Sequence, residues 1–521
     1  MIAFRLRNFA AALCVLLSAS YGMANCLDDS KDQTIVRSAE ELRSALQFAR
    51  GGETFALAPG DYGTLRIMGS ARKASGWKST VTLCSSDADD RARFSGLFLR
   101  KVSDLTFDGI EFNYRFAKGQ DPNATRPYMV QEARRVAFLN SLFVGDRAAG
   151  TNGFEDGFPA AQALFVRDSY NVRIENTEFR LFYRGVILNN VASVVFRNNN
   201  LHSLRSDGLN LVSVDNVLIE DNYFHDFERS EKIADHADMI QMWSRGASRA
   251  SQNIVIRGNT MNSGTGLFSQ SIFLRNEVVD KGQAGPEMWY RDITIEDNVI
   301  INAQSHGISV GETIGLVIRN NSVLRTRPSR GSARMGAVAI PRINVKPESQ
   351  NVVIENNVTS AIKGFAGQDG WKVEGNVPVQ DESPFAPGYY ADMFVAPPFD
   401  TVPTLAHFQS LPGGPLDVEK AGATRLAFEN EPAEVTPLIR VTRASGRYGY
   451  NFDASFSAGP EGFLTQQEGV TFRWKFEGGK EADGPEASYA FEGGGKKKVE
   501  LFVTMPSGEK YSTKMLLSLD E

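Results

Sequence analysis

Cysteine is scarce in this chain: three in 521 residues, at Cys14, Cys26 and Cys84. Cys14 lies in an apolar run, Phe9 to Leu17, that follows Arg5 and Arg7, and in Gly22-Met23-Ala24 the small residues Gly22 and Ala24 stand at the −3 and −1 positions of a secretory cleavage site. Removal of residues 1–24 leaves an even pair. In an exported chain Cys26 and Cys84 are expected to form a disulfide tying the N-terminal tail to an early part of the fold, with two free thiols as the alternative. Asn25 is not the small residue that a lipoprotein processing site needs before Cys26. No later run is long and apolar enough to span a bilayer, so the leader points to a periplasmic or extracellular protein without a membrane-spanning helix. Excess charge is missing too. A formal net charge of −6, with 23% charged and 42% hydrophobic residues, is the balance of an ordinary globular chain and argues against a nucleic-acid partner. Histidine is equally rare, five in all, so each one has to be accounted for.

What the chain has instead is repetition. SDGLNL (from Ser206) is followed by VLIEDNYF (Val217), and HADMIQMW (His236) by IVIRGNTM (Ile254). Each half alternates apolar and polar residues, the period of a strand with one buried face. The second half recurs as LTFDGIEF (Leu105), VAFLNSLF (Val136), VRIENTEF (Val172), VVFRNNNL (Val194), ITIEDNVI (Ile293), LVIRNNSV (Leu316), VVIENNVT (Val352) and WKVEGNVP (Trp371). A unit of this kind cannot bury its apolar face alone and does so by stacking on the next. The starts at Val172, Val194 and Val217 lie 22 and 23 residues apart, suited to a three-sided coil. The sixth octet position reads Asn199, Asn222, Asn259, Asn298, Asn321, Asn357 and Asn376, a column whose amides can satisfy one another and the turn backbone. Forty-seven glycines fit a chain with a tight turn every few residues.

With these octets on the page, the chain resembles the right-handed parallel β-helix superfamily of pectate lyases, polygalacturonases and alginate-modifying enzymes, over roughly residues 35–380. The resemblance implies an all-β fold, a right-handed parallel β-helix, for residues 25–380. Ser38 ahead of AEELRSALQFAR predicts an N-capped amphipathic helix that caps the open end of the coil, as in many β-helix polysaccharide lyases. The octets stop after Pro378. Residues 381–430 are Pro-rich and read as a strap along the coil or as a linker. Residues 431–521 change to strand, turn, strand around Trp474. They resemble a PKD-type immunoglobulin-like β-sandwich, with WKFEGG where that family carries Trp-Asp-Phe-Gly-Asp, departing at Lys475 and Glu477. This module reads as a spacer or a glycan- or surface-adhering unit, and its sequence offers no catalytic constellation.

The first halves align as ALFVRD (Ala163), GVILNN (Gly185), GLNLVS (Gly208), MIQMWS (Met239), SIFLRN (Ser271), GISVGE (Gly307) and AVAIPR (Ala337). Their second and fourth positions are apolar and point inward. The third and fifth therefore face out, with Asn210, Gln241 and Ser309 in one column and Arg167, Asn189, Trp243 and Arg275 in the other. Just before the strands sit Asp207, Asp238, Gln270 and His306. Rungs lie about 4.8 Å apart, so Asp207 and Asp238 are expected as neighbours, with a shared cation or base offsetting their repulsion. ERSEKIADHA (Glu228) and VDKGQAGPEMWYRD (Val279) are extra to a minimal rung and become loops walling the same face, Trp289 and Tyr290 among them as sugar-stacking aromatics.

His236, flanked by Asp235 and Asp238, has the strongest claim to be a general base; the alternative is a turn histidine. His202 and His225 follow consecutive octets and read as a stacked turn pair on another side, while His407 lies in the strap without a reading. Two enzyme families share parts of this set. Mannuronan C5-epimerases carry Asp-Pro-His-Asp, similar to Asp235-His236-Ala237-Asp238 in components but not in order. Polygalacturonases carry motifs echoed by Ser206-Asp207-Gly208, Ala237-Asp238, Ser305-His306-Gly307 and Arg342-Ile343. A complete extra rung around Ser271, however, moves His306 about 10 Å from Asp238. The expectation is a secreted, monomeric enzyme that takes an acidic, uronate-containing polysaccharide and abstracts the proton at C5, as a lyase or epimerase. His236 would be the base, and Arg275, or a Ca²⁺ on Asp207 and Asp238, would neutralise the substrate carboxylate. Asn210, Gln241, Trp243, Trp289, Tyr290 and His306 would line the groove. The alternatives are a glycoside hydrolase using Asp207 and Asp238 as its paired carboxyls, and a non-catalytic glycan-binding or envelope protein.

Overall fold

The structure is a computed structural model and describes residues 33–69, 75–151, 153–230, 237–264, 267, 269–326, 340–383, 386–397 and 403–519. The chain winds as a right-handed parallel β-helix from Gln33–Val36, which pairs with Thr54–Leu57, to Val377–Pro378, which pairs in parallel with Val358–Thr359. Each turn contributes a strand to a first face, a strand to a second and a short strand to a third. Gln162–Glu175 and Arg184–Arg197 run unbroken across the first two faces. The inward apolar positions of successive turns form one core, and ring stacks such as Phe112 on Phe143 (4.4 Å) and Phe143 on Phe179 (4.6 Å) run through it.

Two octet positions make the corner between the second and third faces. The fifth is Gly109, Asn140, Asn176, Asn198, Asp221, Gly258, Asp297, Asn320, Asn356 or Gly375, and every one has a positive φ. Glycine, Asn and Asp are the residues that enter this left-handed region at least cost. The sixth position is the Asn column. Asn259 Nδ2 donates to Asn298 Oδ1 (2.9 Å) and Ile219 O (3.0 Å), its main-chain N–H also reaches Asn298 Oδ1, and the pattern repeats from Asn199 to Asn376. Among the earlier rungs the hydroxyls of Ser141 and Thr177 take the same place.

The helix Ala39–Phe48 forms as the sequence predicts. Ser38 Oγ accepts from the Glu41 N–H at its N-terminus, and Leu42 joins the coil core at its open end. Cys84 is disulfide-bonded; Cys26, the expected partner, lies outside the described residues. Residues of the Pro-rich segment pack as a strap on the third face, where Tyr390, Met393, Phe394, Phe408 and Leu426 cover Val299, Ile301, Leu324 and Val358. Arg425 to Asp221 (2.8 Å) and Asn262 Nδ2 to Pro403 O (3.0 Å) fasten it. Beyond the strap, a three-stranded and a four-stranded antiparallel sheet enclose Trp474, whose Nε1 donates to Gly484 O (2.9 Å).

One alignment is corrected. The strand that follows His306–Val310 on the first face is Arg342–Val345, with Ile343 opposite Ile308 and Asn344 opposite Ser309, and not AVAIPR. Both stretches alternate apolar residues, so periodicity alone does not choose between them.

Candidate functional site

On the first face the outward centre column is Phe165, Ile187, Asn210, Gln241, Phe273, Ser309 and Asn344, each opposite the next. It is outward because the residues on either side, such as Leu209 and Leu211 or Ile240 and Met242, belong to the core. A second, leading column lies where the chain comes into these strands. Gln162 pairs with Arg184, Asp238 with Gln270, and His306 with Arg342; Asp207 falls between Arg184 and Asp238, bonded to both. In several rungs the leading residue bonds the centre residue of its own rung, so the two columns form one polar network.

At its middle, Asp207 and Asp238 are both fully buried. Three donors converge on Asp207, Asn210 Nδ2 at 3.1 Å, Ser206 Oγ at 3.2 Å and the Asp238 main-chain N–H at 3.3 Å, and Arg184 Nε forms an ion pair with it at 2.9 Å. Gln241 Nε2 donates to Asp238, and Gln241 Oε1 accepts from Asn210 Nδ2 (3.1 Å). The carboxylates orient both amides, because a flipped Asn210 would set its oxygen against Asp207. Asn210 Oδ1 and Gln270 Oε1 are then left without hydrogen-bond partners among the described residues, which is uncommon for buried acceptors.

Arg184 is the part of this centre that reaches the surface. Its side chain is 27% exposed, and its guanidinium lies 5.2 Å from the Tyr183 ring and 5.8 Å from the Trp243 ring. Two steps beyond Asp238, His306 bonds Ser309 Oγ through Nδ1 (2.7 Å) and meets Phe273 edge-on at 4.9 Å. Burial, with the Arg342 charge second, holds its imidazole below the ordinary histidine value, so it is neutral at neutral pH.

The structure thus brings together Asp207, Asp238, Asn210, Gln241 and, through Arg184, Trp243. It does not bring Arg275 to them. Arg275 lies five residues past Gln270, about 16 Å along the strand, and its Nε pairs with Asp280 (2.9 Å), which also takes Lys346 (2.6 Å). Tyr290 belongs to the core, not to a groove wall: it is 1% exposed and its hydroxyl donates to Arg275 O (2.7 Å). Trp289 is half-buried at the end of the turn Pro286–Met288. His236 lies outside the described residues. His202 and His225 stack on the third face with ring centroids 5.0 Å apart, each bonded to a carboxylate neighbour.

A calcium ion asks for six to eight oxygen ligands. The Asp207 oxygens already serve three donors and the Arg184 charge, and the described residues hold no group of three or more His, Cys, Asp or Glu side chains suited to a metal, so this donor set does not fit one. The residues that sequence reasoning passed over are Arg184, Gln162 and Phe273. The signal for the first was present, since Arg184 stands before GVILNN just as Asp207 stands before GLNLVS.

No helix among the described residues is long and apolar enough to cross a membrane. The right handed beta helix region family matches residues 158–326 of this chain. No curated protein sequence matches it. Among solved structures, PfbA, a surface adhesin of Streptococcus pneumoniae, is similar with a TM-score of 0.40 at 14% identity, over 67% of this chain and 94% of that one. The alginate lyase from Paenibacillus sp. str. FPU-7 has a TM-score of 0.30 at 13% identity, over 67% and 91%. The polygalacturonase from Erwinia carotovora ssp. carotovora has 0.31 at 12%, over 62% and 97%. At these identities the likeness concerns the fold and not what this chain binds.

Proposed function

We propose that this chain is a secreted polysaccharide-active enzyme that works on an acidic, uronate-containing chain on the first face of the coil, as a lyase or C5-epimerase. One observation carries the reading. Arg184, held by the buried carboxylate of Asp207 at 2.9 Å, presents a fixed and partly exposed cation between the rings of Tyr183 and Trp243. An oriented guanidinium suits a carboxylate, and flanking aromatics suit the face of a sugar ring.

Removal of the proton at C5 places negative charge next to the substrate carboxylate, and that charge has to be neutralised in the transition state. Arg184 takes this role in place of Arg275, whose guanidinium pairs with Asp280, and of a Ca²⁺ on Asp207 and Asp238. His236 is proposed as the base. In a lyase, the electron pair left at C5 forms a double bond to C4 and expels the glycosidic oxygen, which takes a proton. In an epimerase, a proton returns to C5 from the other face. Asp207 and Asp238 act behind Arg184 and Gln241 as orienting groups, since both are buried. That burial also weighs against the hydrolase reading, which needs both carboxyls at the glycosidic bond. The C-terminal module, PKD-like in sequence, is proposed as a spacer or glycan-adhering unit.

The full-length protein is incubated with polymannuronate, polyguluronate and polygalacturonate, with and without a chelator, and ultraviolet absorbance, reducing ends and the C5 configuration by NMR are read together. The expected product is an unsaturated end or an inverted C5, with turnover about a hundredfold lower in Arg184→Gln and lost in His236→Ala. Reducing ends without absorbance would make it a hydrolase. Binding without any altered product would make it a glycan-binding protein.

A further inference from the structure

The leading column of the first face does not end at its carboxylate centre. Arg126 lies just ahead of Tyr128–Gln131, with its Nε on Gln162 Oε1 (2.8 Å) and its guanidinium stacked 4.0 Å over the Phe165 ring. At the other end, Arg342 Nε donates to Asn344 Oδ1 (2.9 Å). Neither arginine pairs with a carboxylate among the described residues. Most other arginines of the coil's outer surface do, Arg167 with Asp168 and Arg184 with Asp207 among them. Burial, and after it the nearby charges of Arg167 and Arg184, lower the guanidinium pKa of Arg126, so an anion bound there would be stabilised.

The spacing is regular. Arg126 stands three strand steps before Asp207, and Arg342 three steps after Asp238. Seven steps separate the two arginines, about 34 Å at about 4.8 Å a step. One step is close to the length of one unit in an extended uronate chain, so a polymer lying along the coil axis keeps pace with the rungs. Between the ends the half-buried side chains of Gln270 and His306 continue the polar track.

We propose that Arg126 and Arg342 are the end anchors of an extended polyanion track, each holding one carboxylate of a uronate chain whose reacting unit lies over Arg184. This rests on the reading that the first face takes an acidic polysaccharide. It adds that the interior of a long chain is bound, that the two arginines set the preference for length, and that short oligomers miss one anchor or both.

The test is calorimetric binding of the full-length protein to uronate oligomers graded from dimers to chains longer than the track, at two salt concentrations. Arg126→Gln and Arg342→Gln are each expected to weaken long-chain binding about tenfold, and the pair together about a hundredfold, with a shallower salt dependence. Dimer binding is expected to be the same in all variants. Arg126→Lys recovers part of the loss, keeping the charge without the planar fork, and Arg319→Gln, on the second face, changes nothing. Long-chain affinity unaltered in the double variant, or an equal loss for dimers and long chains, overturns the anchors while the reading beneath them stands. If the wild-type protein binds no polyuronate of any length, both fall.

Discussion

On the second face of the coil, Glu175, Arg197, Glu220, Arg257, Glu296, Arg319 and Glu355 stack in consecutive rungs, so each charge has an opposite charge as its neighbour. Arg257 to Glu220 (2.6 Å) and Arg319 to Glu296 (2.7 Å) show the pairing. The leading column of the first face has the same spacing and a different rule. Asp207 and Asp238 are adjacent, Arg184 pairs with Asp207, and the arginines at the ends lack carboxylates among the described residues. Each arginine of the alternating column has a glutamate partner, so that column holds no cation over for an anionic ligand. The other carries at its ends arginines bonded, among the described residues, only to neutral amides, which is the arrangement expected of a surface that completes its interactions with an external anion.

The sharpest way to break this comparison is to remove one arginine from each column. Arg184→Ala leaves Asp207 buried without its cation and is expected to cost about 3 kcal/mol. Arg319→Ala removes half of a partly exposed pair and is expected to cost about 1 kcal/mol or less. Urea unfolding of both variants checks the pair of values, and similar losses would mean that the two columns are energetically alike.

The Asn column supplies an intermediate case, a closed ladder that is buried. Asn259→Ala strands the main-chain N–H and the amide of Asn222, both of which donate to Asn259 Oδ1. The expected cost is about 2 kcal/mol by the same measurement. Asn376→Ala, at the part-exposed last rung, is expected to cost less, because water reaches the groups it strands.

The smallest effect sharpens the comparison through pH. The second-face column holds only Glu and Arg, whereas the first-face column holds His306, whose folded value lies below the ordinary 6.5. Above that value both folded and unfolded chains keep the ring neutral. As pH falls through it the unfolded chain takes up the proton first, so stability declines toward the lower folded value. His407 in the strap adds to the same slope, since burial pushes it down to about 4 and its Nδ1 accepts from the Thr404 N–H. Unfolding at pH 7 and pH 5 in a His407→Gln background is expected to show a residual decline that His306→Gln removes.

Much of the coil is legible in the primary string, because a solenoid turns periodicity into position. Once the octets are aligned, Asn199 to Asn376 must stack, the positions before them must turn with positive φ, and Asp207 must lie beside Asp238. The same alignment extends to Arg184 and Gln162. What alignment does not contain is reach. Arg275 occupies an outward position as expected, yet its guanidinium goes to Asp280 in the neighbouring loop, because a long side chain pairs with whatever charge the fold brings near it. Tyr290 sits in a loop-like stretch of sequence but begins a strand, and its ring turns into the core.

The sequence by itself determined the coil, its capping helix, the Asn ladder and the columns along each face, since these follow from backbone hydrogen bonding and from burying one apolar side per strand. Only the tertiary structure decided which arginine meets Asp207, that both carboxylates are buried, and that the cations at the two ends of the column carry no carboxylate partner among the described residues. Those outcomes depend on side-chain length, rotamer and the distance to neighbours in other rungs, and a repeat pattern encodes none of these.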